Sequence, residues 1–394
     1  MKASISVALN NHNQGELCGR DAARQALGNM SEGDVSFALL FVSHPQPAQV
    51  LKGIQSVLGH VPLIGATSAG EYTQEGYVED GVGLMLIRHN HIRFHPLHYQ
   101  KRLFRIGSLL GQLRGRTEEG LRSAYHHRTL MLFPDDASTS LNRLVDKAVE
   151  ETAMLYNIIG GPSPTIAMPP RLPLLFYNNR LFHAGLAGAE ILSLYPVGTA
   201  LANGWTPISG PYRITKVDDH HVVKIDGRPA KEIYEDFALE QGMYRDSELS
   251  REFILRHPLG ICQTGNCKVN LVMGFDPHGA LQMTSPPPLN SLVHILETQP
   301  KAMMTAAQRA IQQAVVGLEG RQAAGALFID CMSTAMVLET TYQQQRATVQ
   351  SELGDIPFLG FRSHGVLARL KGQISGHYEC SVGACMFPAE DVHP

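Results

Sequence analysis

The chain lacks several features that would indicate a function at once. Its 33 basic and 36 acidic residues leave a net charge of −3, so no excess of positive charge favours a nucleic-acid surface. No apolar run approaches the ~18 residues that a membrane helix needs. The start, Met1–Leu9, is too short and too interrupted for a secretory signal and has the pattern of a first strand. We therefore expect a cytoplasmic protein that binds neither nucleic acid nor membrane.

Cysteine and catalytic motifs are also scarce. Six cysteines in 394 residues do not make a disulfide scaffold, and in a reducing cytosol they predict thiols, metal ligands or redox centres. Neither Gly-x-Gly-x-x-Gly nor a Walker-type Gly-Lys-Ser/Thr occurs, which leaves nucleotide binding without support. No Gly-x-Ser-x-Gly is present either. The chain is therefore not expected to be an enzyme.

The first half of the chain alternates strand and helix patterns. A β-α-β-α-β order implies parallel strands joined by right-handed crossovers. The predicted elements are Ser4–Leu9, Glu16–Gly28, Asp34–Val42, Pro47–Leu58 and Val61–Thr67. Two later pairs of apolar runs have the spacing of antiparallel hairpins. These pairs are Gly81–Ile87 with Ile92–His98, and Leu174–Tyr177 with Leu181–His183 across Asn178-Asn179.

A domain boundary is expected near Pro196–Trp205, a stretch with Pro, Gly, Asn and the only Trp. Beyond it the pattern restarts, with helices predicted at Lys301–Gly317 and Thr334–Leu353, followed by two final strands. The predicted domains are 1–198 and 199–394. The predicted fold class is mixed α/β, or α+β, in which each domain has a mixed sheet with parallel crossovers and antiparallel hairpins flanked by helices. No residue-level internal repeat is evident.

The most informative segment is a short apolar run that ends in glycines, small hydroxyl residues and one acid. It spans Pro62 to Glu71 and predicts a buried strand that enters a tight loop. Backbone amides and hydroxyls in such a loop can hold a small polar or anionic ligand. Thr67, Ser68, Gly70 and Glu71 are the candidate ligand-binding residues. The alternative is a strand-end turn whose small residues permit close packing.

This segment and a second one, Val222–Tyr234, together resemble the FIST family. Four shorter matches extend the resemblance over nearly the whole chain: Ile158–Gly161, His257–Ile261, Gly325–Cys331 and Phe358–Phe361. The resemblance implies a FIST N-terminal domain, a FIST C-terminal domain and a role in sensing and signal transduction. Cys331 matches a cysteine typical of the family's C-terminal domain, whereas His364 departs from the aromatic or small residue usual near that point.

Two cysteine pairs in the second half share one spacing. Between Cys262 and Cys267, Gly265-Asn266 can turn the chain back, so the sulfurs would face each other and suit a metal or a disulfide. Cys380 and Cys385 would lie on opposite faces of an uninterrupted strand, unless a bulge at Gly383 brings them together. Thiolate ligands, with Cys331 added, favour zinc or an iron–sulfur cluster. Small, buried, reduced thiols are the alternative.

One branch of the FIST family consists of nitric-oxide-sensing haemoproteins that control a partner histidine kinase or cyclic-di-GMP enzyme. Haem iron commonly takes a proximal histidine. The candidates are His364, His377 and His257, with the haem bound non-covalently because Cys-x-x-Cys-His is absent. A hydrogen-bonded structural histidine is the alternative at each position.

The resulting hypothesis is a cytoplasmic sensor with a small-molecule or gas ligand, most concretely a haem-based nitric oxide sensor. It would regulate a partner histidine kinase or cyclic-di-GMP enzyme. The sequence is also compatible with a homo-oligomer. A first alternative is a metal-free module that binds an amino acid or metabolite at the loop Thr67–Glu71. A second alternative is a thiol-dependent enzyme with Cys331 or another thiol of low pKa as nucleophile.

Overall fold

The structure is a computed structural model that describes residues 4–100, 107, 110–111, 113–136, 140–167, 170–242, 249–263, 266–334, 342–370 and 372–390. Within these ranges the chain is a mixed α/β protein, as predicted. Three six-stranded sheets each combine parallel and antiparallel pairs. A further, larger sheet is antiparallel throughout its described pairs. No described helix is long and apolar enough to cross a bilayer.

The first unit of the chain builds the core of the first sheet. Helix α2 carries the chain from β2 to the parallel strand β3, and β6 returns antiparallel between β1 and β2. All six side chains of β2 are buried, as expected for a central strand covered on both faces. The elements are β1 (Ser4–Asn10), α1 (Gly15–Gly28), β2 (Phe37–Val42), α2 (Pro47–Leu58), β3 (Leu63–Thr67), β4 (Glu71–Thr73), β5 (Gly76–Val78) and β6 (Val82–Arg88).

The second unit repeats this order. Strand β8 pairs in parallel with β9 across a helical crossover, and β14 returns antiparallel between β8 and β7. The elements are β7 (Ile92–Gln100), a 3₁₀ turn (Arg114–Arg116), α3 (Glu118–Arg122), β8 (His127–Pro134), α4 (Leu141–Glu151), β9 (Asn157–Gly160), β10 (Ile166–Ala167), β11 (Pro170–Arg171), β12 (Leu175–Tyr177), β13 (Arg180–Phe182) and β14 (Gly185–Ser193).

The third unit has the same order, interrupted by an insertion. Strand β24 pairs in parallel with β25, and β28 returns antiparallel between β24 and β15. The elements outside the insertion are β15 (Gly198–Ala202), α7 (Pro300–Val316), β24 (Ala323–Cys331), α8 (Tyr342–Leu353), β25 (Phe358–Ser363), β26 (Val366–Arg369), β27 (Gly376–Tyr378) and β28 (Val382–Pro388).

The insertion, residues 205–298, forms the larger antiparallel sheet. Its long strand β16 joins two halves of the sheet by pairing with both β17 and β23. The elements are β16 (Trp205–Asp218), β17 (His221–Ile225), β18 (Arg228–Pro229), α5 (Ala230–Glu240), α6 (Arg251–Arg256), β19 (Leu259–Gln263), β20 (Asn266–Asn270), β21 (Val272–Phe275), β22 (Leu281–Met283) and β23 (Leu292–Thr298).

The three units exchange hairpins in a closed ring. The hairpin β4–β5 of the first unit extends the sheet of the third unit at β25. The hairpin β12–β13 of the second unit pairs with β3 of the first, and β26–β27 of the third pairs with β9 of the second. Two sheets therefore contain strands from both sides of the predicted boundary at residue 198, which itself coincides with the start of β15.

The same short motif ends the second parallel strand of each unit, so the chain has an internal repeat that was not predicted. The motif is Ile/Leu-Gly-x-x-Ser, and it begins at Ile64, Ile159 and Leu359. Its glycine sits where a Cβ has no room. A methyl group on Gly65 would lie 1.7 Å from the carbonyl oxygen of Leu40, and one on Gly160 would lie 1.8 Å from that of Leu132. The three motifs mark equivalent positions.

The three sheets pack around one shared core. Phe41, Phe133 and Phe361, one from each sheet, meet in it. The rings of Phe41 and Phe361 stack with centroids 3.7 Å apart, and Phe133 approaches Phe41 edge-on at 5.1 Å. These aromatic contacts join all three units in one described core.

Several predicted elements differ from the structure. The hairpin of Gly81–Ile87 with Ile92–His98 is wrong, because β6 pairs with β1 and β2 whereas β7 pairs with β14 of another sheet. Four strands, not two, follow α8. Helix α8 begins at Tyr342, and the start of the predicted helix Thr334–Leu353 lies partly outside the described residues.

Candidate functional site

A cavity of about 1030 Å³ lies where the second unit, the third unit and the insertion meet. Its walls include the first turn of α4, the turn between β16 and β17, and the segment Met283–Leu289. Asp136, His364 and His377 complete the lining. Side chains that are distant in sequence therefore face a space large enough for a metabolite or a cofactor.

His364 and Asp136 form a hydrogen-bonded ion pair at this cavity. His364 follows β25 and Asp136 follows β8, at the carboxyl ends of parallel strands in two different sheets. The Nδ1 of His364 lies 2.9 Å from Oδ2 of Asp136. Thr165 holds the carboxylate from the other side, through its amide at 2.9 Å and its hydroxyl at 2.7 Å. Asp136 thus fixes the orientation of the imidazole ring.

Charge stabilises the protonated form of this histidine. Burial alone would lower the pKa of His364, but the hydrogen bond that its ring donates to Asp136 and the charges of Glu379 and Asp136 together raise this pKa above its usual value. Burial opposes the charge of Asp136 as well, yet the hydrogen bonds from His364 and Thr165 keep the pKa of Asp136 below its usual range. The two side chains therefore favour each other's charged forms.

Glu379 is a second carboxyl group near His364. Its Oε1 lies 3.9 Å from Nε2 of His364, too far for a hydrogen bond. The Leu271 amide donates to Oε2 at 2.7 Å, and the Thr284 hydroxyl donates to Oε1. Burial raises the pKa of Glu379 above its usual value, and the charge of His364 partly offsets this effect. This leaves His364 Nε2 without a close protein partner among the described residues.

His377 is buried, with 2% of its surface exposed, and is held in one tautomer. Its Nε2 lies 2.6 Å from the carbonyl oxygen of His364, and since a carbonyl only accepts, Nε2 carries the hydrogen. Burial and the nearby charge of His364 lower the pKa of His377 to about 3, so the ring is neutral. Its Nδ1 is consequently a bare acceptor, and it has no hydrogen-bond partner in the described structure.

Asn142, in the first turn of α4, joins the walls of the cavity. Its Oδ1 accepts from the His377 amide at 3.0 Å and from Lys268 Nζ at 2.8 Å. Its Nδ2 donates to Ser285 Oγ at 2.8 Å. Burial lowers the pKa of Lys268, which is consistent with its enclosed position. One amide side chain thus links the second unit, the third unit and the insertion.

The histidine and the aspartate of this pair are present in only one of the three units at the compared positions. His364 follows the serine of the third motif, where the other two motifs have Ala69 and Pro164. Asp136 lies four residues after Leu132, the residue that pairs with the motif glycine of the second unit. The residues at the same distance in the first and third units are His44 and Met332. The structural role shared by the three units therefore does not require a histidine–aspartate pair. The repeated motif and the acids after β8 are the sequence signals that could have pointed to Asp136.

The predicted ligand loop lies elsewhere, and its backbone amides have protein partners. The amide of Thr67 donates to Leu174 O at 2.8 Å, that of Ser68 to Val42 O at 3.1 Å and that of Ala69 to Arg362 O at 2.9 Å. Gly70 has φ = 136°, and its carbonyl accepts from the Arg362 amide. These three amides are therefore not available to a ligand, and the loop joins the first unit to the third.

The acid of that loop is fully buried. Glu71 begins β4 and accepts hydrogen bonds from Ser43 Oγ at 2.7 Å and from Ser68 Oγ. Burial raises the pKa of Glu71 to about 8, although both hydroxyls partly offset this effect. Glu71 is enclosed by the protein and does not line the cavity at His364.

The three histidines predicted as haem ligands differ in their surroundings. His364 has the donor chemistry that a haem ligand would need, since Asp136 holds Nδ1–H and Nε2 has no hydrogen bond. His377 does not fit this role, because its Nε2 donates to a carbonyl. His257 lies apart, with Nδ1 2.7 Å from Phe253 O and its ring packed against Phe237 and Phe253.

The structure brings some of the predicted cysteines together, since Cys262, Cys267 and Cys380 share one core cluster. Cys262 and Cys267 pair across the β19–β20 hairpin as a disulfide, one of the two outcomes left open. Cys380 and Cys385 belong to different core clusters, and the β24–β28 register passes Gly383 without a bulge. Burial raises the pKa of Cys331, Cys380 and Cys385, which makes them poor nucleophiles. Among the described residues, no group of three or more His, Cys, Asp or Glu is arranged to hold a metal.

The fold and the site together define an α/β protein of three hairpin-exchanging units, with an insertion and a cavity of mixed polar and apolar lining. The chain belongs to the FIST family. The FIST N domain matches residues 36–228, and the FIST C domain matches residues 230–369. The two matches meet at β18, inside the insertion. FIST domains are sensory, so this membership assigns a sensing or signal-transduction role at that general level; neither match points to the nitric-oxide-binding haemoproteins.

The curated proteins to which this chain is similar are distant relatives. The chain is 23% identical over 214 residues to an uncharacterized protein of Mycobacterium bovis and to one of Mycobacterium tuberculosis strain CDC 1551. A further uncharacterized protein of M. tuberculosis strain H37Rv is 23% identical over 210 residues. Each alignment covers 52% of this chain and 53% of the relative. The chain thus spans about half the length of the curated relatives it matches.

Proposed function

We propose that this protein senses a small molecule in the cavity beside His364 and passes the signal to a separate protein. The observation that carries the proposal is the His364–Asp136 pair, 2.9 Å between Nδ1 and Oδ2, at a cavity of about 1030 Å³. Ala69 and Pro164 occupy the equivalent places of the other units, so the pair is not needed for the shared fold. Membership of a sensory family agrees with this role.

The position of the cavity suits signal transfer. Its walls come from α4, from the insertion and from the strand ends of the third unit, and Asn142 bridges all three. If the units can adopt two arrangements, a ligand that binds one arrangement more tightly would shift the equilibrium toward it. The proposed recipient is a partner histidine kinase or cyclic-di-GMP enzyme, as the family resemblance implies.

Haem is one candidate occupant, since His364 has a suitably held imidazole. Bound haem would supply an iron atom whose coordination changes on taking nitric oxide. In this chain Asp136 would orient His364 and keep the hydrogen on Nδ1. The first test is the absorption spectrum and metal content of the purified protein, followed by titration with hemin. A Soret band that disappears in His364→Ala but persists in the matched control His183→Ala, an exposed histidine, would support haem.

A metal-free metabolite is the other candidate, favoured by the unpartnered Nδ1 of His377 and the mixed polar and apolar walls. Thermal-shift screening with amino acids and metabolites tests it, since a ligand at 100 times its dissociation constant adds about 2.7 kcal/mol to stability. If hemin and the metabolite panel both leave the melting temperature of the protein unchanged, or shift His364→Ala equally, the sensing role of this cavity is refuted.

A further inference from the structure

A disulfide joins the two strands of the β19–β20 hairpin. Cys262 and Cys267 are directly opposed residues of this antiparallel pair, and they are separated by five positions in the chain. The stabilisation that a cross-link gives to a fold grows with the length of the loop that it closes. Because this loop is so short, the disulfide contributes little as a general staple of the fold.

The disulfide has one accessible side and one enclosed side. All six cysteines lie in described ranges, and Cys262 is the only one that is not buried. Its neighbour Gln263 is exposed, as is Asn266, which also lines a cavity of about 400 Å³. Cys267 is 2% exposed and belongs to a core cluster with Trp205. Cys262 is therefore the cysteine that a soluble thiol can reach.

Strand β20 continues from the disulfide into the wall of the larger cavity. The residue after the disulfide, Lys268, donates from Nζ to Oδ1 of Asn142 at 2.8 Å, and Asn142 lines that cavity. Just beyond the end of the strand, the Leu271 amide donates to Oε2 of Glu379 at 2.7 Å. The other carboxylate oxygen of Glu379 lies 3.9 Å from Nε2 of His364. The position of β20 therefore fixes two side chains beside the candidate site.

The enclosed side of the disulfide is also connected to Glu379. Cys267 shares its core cluster with Trp205 and Cys380. The indole Nε1 of Trp205 donates to the carbonyl oxygen of Cys380 at 3.2 Å, and Cys380 directly follows Glu379 in the chain. Two routes, one along β20 and one through this cluster, thus link the disulfide with the carboxyl group beside His364.

We propose that Cys262 and Cys267 form a reversible redox site, reduced by an external dithiol, and that their disulfide holds the wall of the cavity at His364 in place. The redox chemistry stands by itself, whereas its regulatory meaning rests on the proposed function of that cavity. With the disulfide intact, the two strands cannot separate at this end of the hairpin. With the disulfide open, only hydrogen bonds and packing hold β20, so the wall opens locally more often.

The exchange proceeds in two balanced steps. A thiolate of the dithiol attacks Sγ of Cys262 and forms a mixed disulfide, while the electron pair of the broken S–S bond leaves on Sγ of Cys267, which takes up a proton. The second thiolate of the reductant then attacks the reductant's own sulfur in the mixed disulfide, and Cys262 leaves and is protonated. Two electrons and two protons reach the protein, and the reductant becomes a disulfide. An excess of an oxidised thiol carrier reverses both steps.

The first test treats the full, native protein with reduced thioredoxin as the dithiol, then blocks free thiols and counts them by mass spectrometry. We expect modification of Cys262 and Cys267 and none at the four buried free cysteines. The pair should return to the disulfide when glutathione disulfide is added in excess. A pair that stays oxidised until the protein is unfolded, or that does not form again, overturns the redox site.

The second test measures hydrogen exchange at the Leu271 amide in the oxidised and the reduced protein. We expect exchange about tenfold faster after reduction, and likewise in Cys262→Ser, which cannot form the disulfide. Cys385→Ala, a change at a buried free thiol of another core cluster, should exchange like the oxidised wild type. Amides of β2 should not change in any form, which excludes a general loss of stability. Equal exchange at Leu271 in oxidised and reduced wild type overturns the coupling.

Neither test uses a ligand of the cavity, so the two proposals fail separately. Unchanged exchange at Leu271 refutes control of the cavity wall by the disulfide and leaves small-molecule sensing intact. Hemin and metabolites that leave the melting temperature unchanged refute sensing and leave the redox site intact.

Discussion

His364 Nδ1 lies 2.9 Å from Asp136 Oδ2, although 228 positions separate the two residues in the chain. The contact forms where the hairpin β26–β27 of the third unit joins β9 of the second. Exchange of this hairpin brings the loop at His364 to the end of β8. The candidate site is thus a direct product of the way the units are linked.

Asp136→Asn should lower the pKa of His364, because the substitution removes the charge and the accepting carboxylate that raise it. The shift is measurable by NMR titration of the imidazole. In the wild type, protonated His364 should add to the free energy of unfolding at pH values below its pKa in the unfolded chain. This contribution should be lost as the pH rises through the raised pKa of His364 in the folded protein. Asp219→Asn, an exposed acid beside His220, is the control. An unchanged His364 titration in Asp136→Asn would refute the role given to the pair.

Glu71→Gln should make the protein more stable at alkaline pH. Burial raises the pKa of Glu71 from 4.5 to about 8, so its contribution to folding is fully present below pH 4.5 and is lost as pH rises toward 8. A neutral amide avoids that loss, with an expected gain of a few kcal/mol above pH 8. Urea unfolding at several pH values measures it, and Glu79→Gln at the exposed neighbouring acid should show no such pH dependence. Parallel stability profiles for wild type and Glu71→Gln would contradict the prediction.

Gly160→Ala should destabilise the fold by about 3 kcal/mol, because the added methyl group meets a backbone carbonyl that cannot rotate away. Equilibrium unfolding in urea gives the value. Gly28→Ala near the end of α1 is the matched control, since nothing lies within 4 Å of its Cβ position and alanine favours helix. The packing argument fails if the two variants are equally stable.

The four free cysteines should resist a thiol reagent in the native protein. Cys18, Cys331, Cys380 and Cys385 are all buried, and burial raises the pKa of each thiol. Mild reduction should expose reactivity at Cys262 and Cys267 alone. Mass spectrometry after labelling counts the modified thiols. Rapid, stoichiometric modification of Cys331 would instead favour the thiol-dependent enzyme.

Local patterns predicted the elements that depend on local chemistry. Helix α2 has its predicted bounds, Pro47–Leu58, with proline at its start, where the missing amide hydrogen costs nothing. The hairpin β12–β13 was predicted from Asn178-Asn179, and Asn178 indeed has a positive φ of 51°. The choice of partner strands was less accessible. Adjacent strands β6 and β7 suggested a hairpin, yet each pairs with strands of a different sheet.

The candidate site was predicted only in part. His364 and His377 were selected as histidines of interest, and the structure brings them together, whereas His257 lies in another cluster. Asp136 was missed, although acids after a buried strand are a recognisable signal at the carboxyl edge of a parallel pair. The loop Thr67–Glu71 attracted attention through its composition. In the structure the amides of Thr67, Ser68 and Ala69 are bonded within the protein, an arrangement that composition alone does not distinguish from ligand binding.

The amino-acid sequence by itself determined the alternation of strands and helices, the mixed α/β class, the family, and the glycine positions that allow strands to approach closely. Those properties follow from side-chain size, periodicity and backbone freedom within short segments. Only the tertiary structure decided which hairpin joins which sheet, and therefore that His364, Asp136 and His377 share one cavity. Such long-range contacts depend on the burial of three sheets against a common core, which no local stretch of residues specifies.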